Sequence, residues 1–161
     1  MDNIGLSLVL GISSSLLATG LFIMISEFAR RVVLPWYADT IYRGVRIDGD
    51  WEIIESDGNA WERDDMTMQF SLSQRGEKVT GVYTHKNKEE IDEYILDGRI
   101  RDMYFLATAV PKSNRHVDGI SFLLHIDNVK SKLIMTGAIL VQGDPGKVES
   151  FEGMKFEWKN S

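Results

Sequence analysis

Two different hydrophobic patterns divide this chain. From Ile4 to Ser26 there are 23 consecutive positions without a charge. Wound as a helix, that run spans roughly 34 Å, enough to cross a hydrocarbon core of about 30 Å with some tilt. From Asp48 onward the helical period never appears, and apolar residues alternate with polar ones in short runs broken by turn residues, the signature of strands with one buried face.

The strands can be read in order. Gly49, Asp50 and Trp51 open the first, which runs through Ile53 and Ile54 and ends at a loop from Ser56 to Asp65. Met66, Met68, Phe70 and Leu72 then alternate with Thr67, Gln69, Ser71 and Ser73, and Arg75, Gly76 and Glu77 make the turn. Val79, Gly81 and Tyr83 mark a third strand, and Tyr94, Leu96, Gly98 and Ile100 a fourth. Further strands follow from Met103 to Val110, Gly119 to Ile126 and Lys132 to Gln142, and a last one carries Met154, Phe156 and Trp158 on one face.

Eight strands with short connections predict an all-β, up-and-down antiparallel barrel of lipocalin-like form, since closure removes the edges of a meander. A two-sheet sandwich fits the same spacing. Gly81, Gly98 and Gly137 fall in mid-strand, where a small barrel bends sharply. Tyr104, Leu106, Val110, Ile134 and Leu140 make the second face of the fifth and seventh strands apolar too. Something should cover that face: a neighbouring subunit, the linker or the membrane surface.

Charge orients this plan. The net charge of -6 resolves into -1 ahead of the apolar run, +2 over residues 27 to 46, and -7 over the rest. Arg30, Arg31, Arg43 and Arg46 follow the run while only Asp2 precedes it, which predicts a single-pass anchor with the C-terminal domain in the cytoplasm. A cleaved leader would carry a basic residue ahead of a shorter apolar core. Phe28, Trp36 and Tyr37 read as interfacial anchors, and Pro35 is expected to end the helix. The expected organisation is a transmembrane helix over 1–27, a juxtamembrane linker over 28–47 and a barrel over 48–161. An acidic soluble part makes polymeric DNA or RNA an unsuitable partner. The absence of cysteine removes disulfides, thiolate metal sites and cysteine nucleophiles.

Within the apolar run, Ser7, Gly11, Ser15 and Thr19 recur at i, i+4 spacing and form one small-residue face suited to close helix approach. Such residues are also ordinary in membrane helices. The expectation is a homo-oligomer in which this face participates.

The sequence resembles the membrane-tethered β-barrel effectors of bacterial anti-phage systems that signal with cyclic nucleotides, of the CBASS and Panoptes type. The resemblance rests on the apolar N-terminal segment, on Gly49, Asp50, Trp51, on Gln74, Gly76, Val79, Gly81 across the first tight turn, on Gly98 with Ile100, on Leu133 with Gly137, and on Phe156 and Trp158. It implies a barrel that binds a cyclic di- or oligonucleotide second messenger, assembly through membrane helices, and disruption of the bacterial inner membrane ending in cell death or arrest. In the Panoptes-like variant the nucleotide restrains the effector instead of firing it. The commonest pattern has two membrane helices, whereas residues 28 to 42 here are too charged and too few for a second span.

In an up-and-down barrel the loop from Pro111 to Asp118 lies at the end away from the linker. Its Lys112, Arg115 and His116 could hold phosphate, and Tyr83 and Tyr94, inward near that end, could stack on bases. Each also has a structural reading, as solvated loop charges and as core tyrosines. His85, His116 and His125 lack metal-ligand spacing, and no nucleophile, base and acid share a local signature. A non-enzyme without metal or cofactor is the expectation.

Overall fold

A computed structural model of the chain describes residues 2–55, 67–87, 90–113, 118–129, 132–143 and 146–159. Met66, Arg115 and His116 lie outside the described residues. The chain divides into two units, Met1–Ile41 and Tyr42–Ser161.

The described residues of the first unit are all helical. α1 covers Asp2–Phe28, a π turn covers Ala29–Val33, and α2 covers Leu34–Ile41. All side chains from Ile4 to Ser26 are exposed, and the helical stretch Ile4–Ile41 is long and apolar enough to cross a membrane. The predicted stop at Pro35 is not observed, because Pro35 is the second residue of α2. The π turn explains how the helix passes it: the Leu34 N–H donates to Ala29 O, five residues back. The inserted residue widens the turn just before a ring that cannot donate and would crowd a regular one. Glu27 and Arg31 form an ion pair on its surface.

The second unit is a closed antiparallel barrel in which each strand pairs with its sequence neighbours and the last with the first. Its strands are β1 (Gly49–Glu55), β2 (Thr67–Arg75), β3 (Lys78–Lys86), β4 (Ile91–Arg101), β5 (Tyr104–Pro111), β6 (Gly119–Val129), β7 (Lys132–Gln142) and β8 (Glu149–Lys159). The alternation carries directly into burial. On β2, Met68, Phe70, Leu72 and Gln74 point inward while Gln69, Ser71, Ser73 and Arg75 face solvent.

The core is dense and aromatic. Phe70 sits at its centre, with ring centroids 5.2 Å from Tyr83, 5.0 Å from Phe122 and 4.7 Å from Phe156. Tilted and edge-to-face contacts of this kind add to the area term. The strands can close around so small a core because backbones meet at glycine: a Cβ on Gly81 would overlap the Ser71 carbonyl, and one on Gly137 the Leu123 carbonyl.

One end of the barrel is sealed by the chain that leads into β1. Ile47 is fully buried, and its carbonyl accepts from the Trp51 indole N–H at 3.0 Å. Gln74, the one buried polar side chain among the described residues, accepts from the Ile47 N–H at 2.8 Å and donates to Val45 O at 3.1 Å and Gly76 O at 2.8 Å. Asp48 accepts from the Gln74 N–H at 2.6 Å, and the Tyr42 hydroxyl donates to Val45 O at 3.0 Å. Burial raises the Tyr42 pKa, the Gln74 side chain opposing it.

Candidate functional site

With one end plugged, the opposite end retains space. A cavity of about 230 Å³ is lined there by Met68, Ile120, Ile139, Val141, Phe151 and Met154, with a polar wall of Tyr83, His85, Asp92, Tyr94 and Asp118. The strand period builds that wall. Tyr83 and His85 are two apart on β3, Asp92 and Tyr94 two apart on β4, and Tyr83 stands opposite Tyr94 in the register. Their rings lie 5.8 Å apart, tilted by 48°.

The chemistry of the wall is that of an acceptor site. The Tyr94 hydroxyl donates to Asp118 Oδ2 over 3.4 Å. Its pKa is pushed up to about 12, first by burial and then by the Asp118 and Asp92 carboxylates. Burial raises the Tyr83 phenol further, with Tyr94 adding to it. Tyr83 is only 3% exposed. Burial lowers the His85 pKa and favours the neutral imidazole, while Asp92 pulls the other way. Two tyrosine faces, two carboxylates and a neutral imidazole thus surround the cavity.

The sequence-derived candidates divide. Tyr83 and Tyr94 line the mouth together. Lys112 lies outside it, in a groove of about 330 Å³ that shares Asp92 and Tyr94, and its ammonium is 2.7 Å from Glu93. Glu93 points outward, so the lysine is held on the rim, beside Tyr94 in that groove and apart from Tyr83. Ser7, Gly11, Ser15 and Thr19 share α1, where Thr19 donates to Ser15 O at 2.9 Å and a Cβ on Gly11 would meet open space. His85, Asp92 and Asp118 are mouth residues that the loop-centred reading missed. Strand parity signals the first two, since each lies two positions from an inward tyrosine.

No protein-family model and no curated protein matches the sequence. Among solved structures the chain is similar to rhizavidin in complex with biotin, with a TM-score of 0.52 and 12% identity over 70% of this chain and 100% of that one. At that identity the likeness shows the barrel fold alone.

Proposed function

We propose that this chain is a membrane-anchored sensor of the anti-phage effector type. Its barrel takes a cyclic di- or oligonucleotide at the mouth and thereby controls association of the membrane helices and disruption of the inner membrane. The observation that carries the reading is the asymmetry of the barrel, plugged at the linker end and open at the other onto a pocket with a polar wall. At about 230 Å³ the pocket is smaller than the roughly 300–1,000 Å³ of whole-ligand sites. It fits one base better than an entire cyclic dinucleotide.

The wall suits that division. Carboxylates accept hydrogen bonds and repel phosphate, so Asp92 and Asp118 match the amino and imino donors of a purine edge, and the tyrosine faces offer stacking. The phosphates would stay outside, toward Lys112 and the loop bearing Arg115 and His116. With the four arginines after α1 keeping the barrel in the cytoplasm, a bacterial second messenger made there reaches it directly. The proposal assigns the barrel binding and no catalysis.

Calorimetry on the full chain in detergent, against a panel of cyclic di- and oligonucleotides, tests this. Saturable binding is expected with at least one purine member. Asp118→Asn should weaken it by roughly tenfold, as loss of a charged acceptor implies, and Arg115→Ala should weaken it through phosphate. No binding by any member refutes the reading, and wild-type affinity in Arg115→Ala removes that residue from it. A second reading, a tethered lipocalin-like barrel holding a small apolar ligand or a protein partner, draws on the apolar side of the same pocket and on the fold shared with a biotin-bound protein. Biotin and fatty acids belong in the same panel, and binding of these alone favours it.

A further inference from the structure

The barrel carries a second feature that the mouth does not use. On the outer face of β4 to β8 the registers align Arg99 with Leu106, Leu106 with Leu123, and Leu123 with Ala138. Glu152 follows on β8, at the irregularity that leaves Ala138 without a partner in the ladder. The adjoining row runs Asp97, Thr108, Ser121, Leu140 and Ser150. Together they line a shallow groove of about 650 Å³. Leu106, Leu123 and Leu140 are 44–50% exposed, a contiguous apolar strip of the kind that marks an interaction surface. A cation closes one side of the strip and an anion the other, and neither Arg99 nor Glu152 has an ion-pair partner among the described residues.

We propose that this groove is a barrel-to-barrel interface, closed by a second copy of the chain about a two-fold axis that lies in the interface, parallel to β6, beside Leu123. In such an isologous contact every pair occurs twice. This axis sets Arg99 against the second copy's Glu152, Leu106 against its Ala138, and Leu123 against its own counterpart. An in-plane axis across the strands would set Arg99 on Arg99 and Glu152 on Glu152, so charge selects the first. Toward the plugged end the selected axis brings Arg101 near the second copy's Lys155, a row where Arg101 already pairs with Asp102 at 3.8 Å.

The same axis keeps the strands of both barrels running in one direction. Both Tyr42 ends therefore leave on the same side, as two chains anchored in one bilayer require. Shared anchoring also raises the effective concentration of the second copy, which lets a modest interface form. A lipid surface is the poorer occupant, since one cation and one anion flank the strip. The contact is independent of what the mouth binds.

The absence of cysteine gives a direct test on the full chain in phosphatidylcholine vesicles. Leu123→Cys, next to the axis, should form a disulfide-linked dimer on oxidation. Ser73→Cys, exposed on β2, four strands from β6 either way round the closed barrel, should form several-fold less. In the Leu123→Cys background, Arg99→Glu should cut the dimer yield several-fold and Arg99→Glu with Glu152→Arg should restore it, the far-UV spectrum confirming the barrel in each variant. Equal cross-linking at positions 123 and 73, or no restoration by the double exchange, overturns the proposal.

Discussion

Replacing Gln74 by alanine tests how the linker is fixed to the barrel. The side chain satisfies three backbone groups, the N–H of Ile47 and the carbonyls of Val45 and Gly76. Ile47 is fully buried and Gly76 lies in the interior, so two of the three cannot turn to water. A buried polar group left without its partner costs about 1–3 kcal/mol. Carbonyls tolerate this better than an N–H, so the sum should come to about 3 kcal/mol, out of a total stability on the order of 5–15 kcal/mol. The barrel should still fold, with its melting temperature lowered by roughly 10 °C. Urea unfolding of residues 42–161, followed by circular dichroism, measures it. Gln74→Glu adds a control: the carboxylate would face two carbonyl oxygens at neutral pH and regain a donor on protonation, so its deficit should shrink on acidification. A change below about 0.5 kcal/mol in Gln74→Ala would refute the argument that this residue holds the plug.

Other expectations address the mouth, the strands and the helix. Because burial holds the His85 pKa low, native and unfolded chains are both neutral there above about pH 6.5. As pH falls through that value the unfolded chain takes the proton first, and stability drops until the depressed native pKa is passed. His85→Gln should flatten the stability profile between pH 7 and 5, and an unchanged slope would contradict this. Gly137→Ala should cost more than about 3 kcal/mol or prevent folding, because the added carbon meets the Leu123 carbonyl, which is backbone; soluble expression and melting check it. Gly11→Leu and Ser15→Leu should abolish detergent-stable oligomers if the small face of α1 seats another helix, and unchanged oligomers would remove that face from the account.

The parts of this molecule that follow from backbone periodicity were legible in the sequence. Met68, Phe70 and Leu72 announce one buried face, and eight such runs with short turns leave closure as the economical arrangement. The outward apolar set was legible as well: Tyr104, Leu106, Val110 and Leu140 are all on the outer surface. What escaped depends on local exceptions to period. β8 begins at Glu149, before the predicted Met154, because Gly153 at φ 68° marks a bulge that breaks the alternation there. Pro35 looked like a stop because a π turn leaves no pattern in composition. At the mouth, loop residues drew attention for their charge, whereas the cavity wall comes from His85, Asp92 and Asp118, close to the strand ends. The ion pair that holds Lys112 on the rim was not legible either, because Glu93 is distant in sequence and adjacent only through the pairing of β4 with β5.

If the barrel is a sensor and the helix its output, the two must act together. A plug that fixes the linker to the core through Gln74 and Trp51 provides continuous structure from the barrel to the Tyr42 end.

The most direct measurement follows the membrane potential of bacteria producing the full chain, with and without a co-produced enzyme that makes the cyclic nucleotide found to bind. The account predicts a collapse of potential in one ligand state and its preservation in the other, with Asp118→Asn erasing the difference and Gly11→Leu preventing the collapse. An unchanged potential in both states would contradict it.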